Sequence, residues 1–178
     1  MLMHRLLAKD FGRSESIFGT DGVNADIYYG DTTDLDQIDN AVDGAKTVIY
    51  AEEGALPFGS NSFQAVHKDG LARVLQVVKK YPEINRVIYV VSESTGPFAG
   101  PDREAKEAGV AELKASGVSY AIVRPAALDP SPGSTQGIEV AASSSGAKPG
   151  GAKVTPQDVG TLVTTILLMD EVAAKAEA

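Results

Sequence analysis

The 178-residue sequence has no cysteine, which excludes disulfide bonds and thiolate metal sites. Only two histidines occur, His4 and His67, and neither lies in a motif with metal-ligand spacing. We therefore interpret both as ordinary surface or packed residues and predict no metal site. No apolar run is long enough to cross a bilayer, which leaves peripheral association as the one membrane role still open. The missing cysteines fit a reducing compartment, either cytoplasmic or organellar (plastid or mitochondrial).

Positive charge is also scarce, since the net charge is −8 at neutral pH. An acidic chain does not attract a phosphate backbone, so nucleic acid is excluded as a partner. Hydrophobic residues make up 43% of the sequence, enough for a core. The length fits a single domain over residues 1–178. Glycine, serine and lysine dominate residues 141–153, which we predict to form a flexible surface loop.

Strands and helices alternate along the predicted chain. Apolar runs predict strands at residues 5–9, 25–31, 46–51, 86–92 and 119–125, with a loop between the first two. Helices are predicted at residues 32–44, 61–81 and 102–117 and from Pro156 onward. This alternation is typical of an α/β fold, with a parallel sheet in the middle layer and helices on both faces.

Local signals support two of these helices. Asp34 is a good N-cap, Gln37 occupies the capping-box position, and Gly44 closes the same helix. The helix at 61–81 carries one apolar face with the i, i+3, i+4, i+7 spacing, formed by Leu71, Val74, Leu75 and Val78.

Two long segments carry a resemblance to a known family. "YYGDTTDLDQIDNAVDGAKTVIYA" and "REAKEAGVAELKASGVSYAIVRPAAL" contain the patterns G-D-x-x-D and Y-x-I-V-R-P in order and at suitable spacing. In these features the chain resembles the atypical short-chain dehydrogenase/reductases, the NmrA-like group with a single Rossmann domain. The similarity runs from about Arg5 to Leu168. It implies a three-layer, Rossmann-like fold.

The family's glycine-rich turn is not found in this sequence. In the family, a first strand leads into G-x-x-G-x-x-G, where backbone N–H groups approach the cofactor pyrophosphate. Residues 5–10 align with the second strand instead, and Gly19 and Gly22 follow the wrong strand. The fold is therefore expected to be N-terminally truncated, with two sheet pieces and unpaired edges. The sequence leaves three explanations open: an absent N-terminal segment, a strand supplied from elsewhere, or a rearranged fold.

The resemblance implies a small set of cofactor-binding residues. Lys9 falls where NADP-preferring relatives place a basic residue, and Asp31 and Thr32 fall beside the adenine. Pro125, Ala126 and Ala127 fall beside the nicotinamide. Each also has a purely structural interpretation, as a solvated charge, a turn residue or a strand stop. We expect no cofactor in the chain as it stands, and NADP(H) if an N-terminal glycine-rich unit exists.

The family's catalytic pair is incomplete. Classical members use a Tyr and a Lys four residues later, and here Asp102 precedes Lys106. Ser92 and Lys106 are the remaining candidates for catalytic residues, and no other catalytic constellation is present. Glu52 and Glu53 would put negative charge near cofactor phosphates unless they point outward.

Two functions are compatible with these features. One is a catalytically degenerate domain that acts as a structural, assembly or regulatory subunit of a larger complex, with a photosynthetic or respiratory complex as an example by analogy. This hypothesis predicts a protein partner and a non-catalytic role. The alternative is an NADPH-dependent reductase or redox sensor whose N-terminal G-x-x-G-x-x-G unit is missing from this sequence. It would work without the Tyr-x-x-x-Lys relay.

Overall fold

A computed structural model describes residues 4–18, 25–54, 56–129, 140 and 153–176. The strands are β1 His4–Ala8, β2 Ala25–Tyr29, β3 Thr47–Tyr50, β4 Arg86–Val90, β5 Tyr120–Val123, β6 Ala127–Leu128 and β7 Lys153–Val154. The helices are α1 Phe11–Phe18, α2 Leu35–Val42, α3 Leu71–Val78, α4 Ala99–Ala115 and α5 Pro156–Ala176, with a π-helix at Gln64–Gly70 that continues into α3. This order confirms the α/β class.

The main strands are parallel and fall into two sheets. β1 pairs with β2, with Leu6 opposite Ile27. The second sheet has the order β3-β4-β5, with Ile49 opposite Ile88. Among the described residues β1 and β3 belong to different sheets, so each presents an edge. The main strands thus form two sheet pieces, as expected, and β6 and β7 pair with each other in a third, short sheet.

Strand β4 shows that helices cover both faces of the larger sheet. Val87 and Tyr89 are fully buried in a core that also contains residues of α2, α3 and α4. Ile88, the residue between them, packs instead in a second core with Val163 of α5. Successive residues of a strand point to opposite faces, so the continuous apolar run of β4 follows from its central position between two helical layers.

The first connection corrects the sequence prediction, because α1 stands where we predicted a loop. Its composition is polar, but Asp10 supplies the missing cap: its Oδ1 accepts the backbone N–H of Arg13 at 2.9 Å. Ser14 is buried and donates its hydroxyl to the Asp10 carbonyl at 2.8 Å. A side-chain cap satisfies N–H groups that lack helical partners, which offsets weak intrinsic propensity. Gly19 and Gly22 lie outside the described residues.

The predicted cap of α2 is confirmed and its capping box is wrong. Asp34 accepts the backbone N–H groups of Asp36 and Gln37. The side chain of Gln37, however, accepts the N–H of Asp31 at 2.8 Å and so ties the helix to the end of β2. Gly44 follows the helix at a φ of +73°, as a closing residue does.

The helix predicted at 61–81 is interrupted by the π-helix. The apolar face is confirmed, because Leu71, Val74, Leu75 and Val78 are all buried. The π-helical turn lies against α4 at Gly109, where an added Cβ would be 2.0 Å from the carbonyl oxygen of His67. The two backbones meet without an intervening side chain, and this contact sets His67 beside α4.

The C-terminal part begins with a clear start signal. Thr155 and Asp158 form a reciprocal cap: Thr155 Oγ1 accepts the N–H of Asp158 at 3.1 Å, and Asp158 Oδ2 accepts that of Thr155 at 2.9 Å. Residues 141–152 of the predicted loop lie outside the described residues, and Lys153 begins β7. No helix in the described part of the chain is both long and apolar enough to cross a membrane.

Candidate functional site

Polar side chains collect where the parallel strands end. Glu53 follows β3 and Ser92 follows β4, and these two strands are neighbours in one sheet. Their carboxyl ends therefore meet at one edge, the place where ligands bind in open α/β sheets. α4 and the π-helix pack over this edge and add Asp102, Lys106 and His67. We call these five residues the acid–base cluster: Glu53, His67, Ser92, Asp102 and Lys106.

Lys106 lies at the centre of the acid–base cluster. Its Nζ is 2.8 Å from Ser92 Oγ, 3.0 Å from Asp102 Oδ2 and 3.1 Å from Glu53 Oε2. The side chain is only 3% exposed. An ammonium group has three N–H donors, and here Ser92 Oγ, Asp102 Oδ2 and, at 3.4 Å, the Ser92 carbonyl oxygen accept them, while Glu53 forms an ion pair with the charge. Lys106 therefore has no free donor for a ligand unless one of these contacts breaks.

Ser92 is also fully engaged. Its hydroxyl donates to Glu53 Oε1 while its oxygen accepts from Lys106. The carboxylate of Glu53 already accepts the one proton of this hydroxyl, and the ammonium of Lys106 donates to its oxygen, so the described contacts are all with protein groups. Its hydrogen bonds hold the Glu53 and Lys106 side chains in position.

His67 forms the buried wall of the acid–base cluster and has no exposed surface. Its Nδ1 lies 3.1 Å from the hydroxyl of Tyr89, and its Nε2 lies 3.4 Å from Asp102 Oδ1 and 3.8 Å from Glu53 Oε2. Burial, helped by the nearby Lys106 charge, lowers the pKa of His67. The ring is therefore neutral at pH 7, and its Nε2 accepts the backbone N–H of Gly54 at 3.4 Å.

A cavity of about 480 Å³ opens onto the acid–base cluster. Glu53, Ser92, Asp102 and Lys106 line it together with Glu93, and apolar groups that include Phe63, Phe98 and Leu128 complete the wall. Phe98 and Leu128 are about half exposed at its rim, at 46% and 47%. The cavity thus combines an ionic floor with an apolar rim.

A second polar group lies at the ends of β1, β2 and β3. Lys9 Nζ and Asp31 Oδ2 form an ion pair at 3.2 Å. Burial raises the pKa of Glu52, and the charges of Lys9 and Asp31 are near enough to affect this carboxyl group as well. Thr32 is buried beside Tyr50, whose hydroxyl donates to the Val66 carbonyl at 2.8 Å. Glu52 therefore belongs to this second polar group, whereas Glu53 belongs to the acid–base cluster.

The remaining predicted residues follow β5. Pro125 is half-buried and Ala126 is buried, while Ala127 begins β6 and lines the cavity. The structure thus brings Ser92, Lys106 and Ala127 around one cavity, and pairs Lys9 with Asp31 elsewhere. The sequence did not lead us to predict that Glu53, Asp102 and His67 belong to this site. The i, i+4 spacing of Asp102 and Lys106 was a usable signal for a shared helix face.

The chain matches the model of a protein family described as NAD(P)H-binding over residues 5–170. It belongs to this NAD(P)H-binding family. The fold is that of the atypical short-chain dehydrogenase/reductases, as the resemblance implied. No curated protein sequence matches the chain significantly.

Solved structures agree on the fold of this NAD(P)H-binding family member. A candidate NAD-dependent epimerase/dehydratase of Bacillus halodurans is 20% identical, with a TM-score of 0.64 over 87% of this chain and 71% of that one. A short-chain dehydrogenase/reductase of Veillonella parvula in complex with NADP is 19% identical, with a TM-score of 0.60 over 93% and 74%. WbmH of Bordetella bronchiseptica, in complex with NAD+, is 16% identical, with a TM-score of 0.55 over 70% and 47%. At these identities the likeness shows the fold alone.

The described residues do not fit the pyrophosphate of a dinucleotide at the cavity. A pyrophosphate needs cationic or amide donors. Here the lining cation, Lys106, has all its donors in use, and Glu53, Glu93 and Asp102 add negative charge to the same wall. Lys9, at the other polar group, is already paired with Asp31. The chain therefore belongs to the NAD(P)H-binding family, but most charged side chains in the described walls of its cavity are acidic.

Proposed function

We propose that this chain is a catalytically degenerate member of the NAD(P)H-binding family, and that it acts as a structural, assembly or regulatory subunit of a larger complex. The observation that carries the proposal is that Lys106 donates its hydrogen bonds to Asp102 and Ser92 and forms an ion pair with Glu53. A reductase of the classical type needs a lysine that serves a phenol and the cofactor. In this chain the lysine serves protein carboxylates instead.

Asp102 strengthens this interpretation because of its chemistry. It occupies the position of the relay tyrosine that the resemblance implies. A phenol gives up a proton to a developing alkoxide, whereas the Asp102 carboxyl group, 3.0 Å from the Lys106 ammonium, serves as a hydrogen-bond acceptor. Asp102 is also only 8% exposed, so a substrate has little access to it. The chain's own residues therefore hold charge at this place and do not move a proton.

The partner role rests on the surface of the two sheets. β1 and β3 each present an edge within the described residues, and Ile49 of β3 is 43% exposed. Exposed edges and apolar side chains favour a stable partner. A photosynthetic or respiratory complex remains one example of a setting, by analogy.

An assay of NAD(P)H oxidation distinguishes a catalytically degenerate chain from an active reductase. Purified full-length chain is mixed with NADPH or NADH and a panel of quinone, flavin and ferricyanide acceptors, and oxidation is followed at the nicotinamide absorbance band. We expect no oxidation above the protein-free rate. Oxidation by the wild type that disappears in Lys106→Met would refute the proposal. For the partner role, a tagged chain in its own cells should migrate in native gels as one defined species well above monomer size.

An NADPH-dependent reductase or redox sensor is the second candidate. The family match and the position of Lys9 at the end of β1 favour it. If it is correct, NADPH should raise the thermal stability of the wild type, because a ligand that binds only the folded state stabilises it. Lys9→Ala should then lose the preference for NADPH over NADH. An absence of any shift at millimolar NADPH would argue against this function.

A further inference from the structure

The acid–base cluster contains a group of ligand atoms that the family resemblance does not explain. One atom each from Glu53, His67 and Asp102 lies within 4.8 Å of the other two. His67 Nε2 is 3.4 Å from Asp102 Oδ1 and 3.8 Å from Glu53 Oε2. Zinc–ligand bonds of about 2.0–2.1 Å in a tetrahedron place neighbouring ligand atoms about 3.4 Å apart. The two distances from His67 Nε2 are therefore close to those between ligands around one ion, and one oxygen of each carboxylate lies within 4.8 Å of the other.

An unsatisfied buried oxygen points to the same place. Asp102 is 8% exposed, and its Oδ1 makes no hydrogen bond although it is shielded from solvent. Leaving such an atom unpaired costs free energy, so it calls for a partner. The other oxygen of this carboxylate, Oδ2, is held by Lys106, which leaves Oδ1 facing the His67 ring.

We propose that Glu53, His67 and Asp102 bind a divalent transition-metal ion of the zinc type. One imidazole and two carboxylates form a ligand set suited to zinc, and two carboxylates balance its charge. This inference does not depend on the proposed function, because it concerns metal binding and not hydride transfer. The cavity leaves the fourth position open to water or a small ligand, as in zinc sites with three protein ligands.

The surroundings of the three ligands supply the outer contacts that such sites need. The Tyr89 hydroxyl can accept a hydrogen bond from His67 Nδ1–H at 3.1 Å, which leaves the lone pair of Nε2 for the metal. The metal would replace the long contact of 3.4 Å between Nε2 and the Gly54 N–H. Ser92 holds Glu53 through Oε1, and Lys106 holds Asp102 through Oδ2. Each ligand is thus oriented through an atom that does not face the common centre.

Lys106 also competes with the metal, and this gives the proposal a distinctive signature. Its Nζ lies 3.1 Å from Glu53 Oε2, the oxygen that also faces His67. A metal ion must displace the ammonium from this oxygen and tolerate its charge nearby. Removal of the charge in Lys106→Met should therefore tighten metal binding, whereas loss of a purely structural residue would loosen it.

The test is zinc titration of the full chain against a chromogenic chelator, with millimolar magnesium present to occupy weak surface carboxylates. We expect one zinc per chain with a Kd tighter than about 10 µM. His67→Gln and Glu53→Gln should each weaken binding at least about tenfold, and Lys106→Met should strengthen it about tenfold. His4→Gln is the matched control, since His4 is the other histidine and is exposed; its Kd should stay within about twofold of the wild type.

Several results would overturn the proposal. One is a wild type without a zinc site tighter than about 100 µM, and another is equal binding by the wild type and His67→Gln. If circular dichroism shows that His67→Gln does not fold, Glu53→Gln decides, because the Glu53 side chain is 55% exposed and its loss leaves the core intact. Unchanged binding by a folded Glu53→Gln would then reject the site.

Discussion

The contact between Gly109 and His67 gives the sharpest prediction from the structure. Gly109→Ala would place a Cβ 2.0 Å from the His67 carbonyl oxygen, and real Cβ contacts essentially never fall below 3.0 Å. The backbones of α4 and the π-helix must therefore separate by about 1 Å at this point. Forcing extra volume into a packed contact costs about 1–3 kcal/mol. The same movement takes Asp102 and Lys106, which lie on α4, away from His67.

Gly100→Ala is a matched control within the same helix. A Cβ at Gly100 meets nothing within 4 Å. Gly109→Ala gains up to about 1 kcal/mol of helix propensity in the interior of α4, and Gly100→Ala gains no more than this in the first turn, so propensity does not favour the control. The difference between the two variants therefore isolates the steric cost, and we expect Gly109→Ala to be less stable than Gly100→Ala by about 1–3 kcal/mol.

Two measurements check this prediction. Urea unfolding gives the difference in free energy of unfolding between the variants. NMR of the imidazole protons gives the local effect, because the chain has two histidines and the exposed His4 serves as an internal reference. The His67 signals should shift in Gly109→Ala and stay in place in Gly100→Ala. Equal stabilities within about 0.5 kcal/mol, together with unmoved His67 signals, would refute the reasoning.

Three further predictions concern single residues. Lys106→Met leaves the buried Asp102 without its ion-pair partner, and breaking a buried pair from one side costs about 3–5 kcal/mol; the double variant with Asp102→Asn should recover part of this loss in urea unfolding. Asp34→Ala removes the N-cap of α2 and should lower the free energy of unfolding by about 1 kcal/mol, with no change in the His67 NMR signals. The pKa of His67 is lowered in the folded state. Below pH 6.5 the His67 ring therefore binds a proton in the unfolded chain more readily than in the folded chain. In metal-free buffer, the contribution of His67 to stability should therefore be constant above pH 6.5 and fall by up to about 1.4 kcal/mol per pH unit below it, and His67→Gln should lack this part of the slope.

Sequence patterns predicted those elements whose signals are local. The apolar run of β4, the stripe that includes Leu71 and Val74, and the Asp34 cap each depend on neighbours within a few residues. α1 was missed because its cap, Asp10, precedes a polar segment without an apolar stripe. The capping box failed because Gln37 found a partner outside its own helix, at Asp31.

The candidate site was only partly predictable for a similar reason. Ser92 and Lys106 were selected as candidates through the family resemblance, and the structure brings them to 2.8 Å. Glu53 joins them across 39 positions of sequence from Ser92, a contact that depends on β3 and β4 being neighbours. His67 carried no signal, because its position depends on a π-helical turn and on the missing side chain at Gly109.

Burying the charged groups of the acid–base cluster costs free energy, which raises the question of why the chain contains them. Burying an ammonium and a carboxylate costs several kcal/mol in lost hydration, and their attraction often does no more than return this cost. Packed apolar side chains would fill the same space at least as well, so stability alone does not account for Lys106 and Asp102 under α4. The cluster lies at the carboxyl edge of a parallel sheet, where α/β proteins place their ligands, and it opens onto a cavity of about 480 Å³. Its position, its cost and an Asp102 Oδ1 that accepts no hydrogen bond all favour the proposed metal site over a purely structural role.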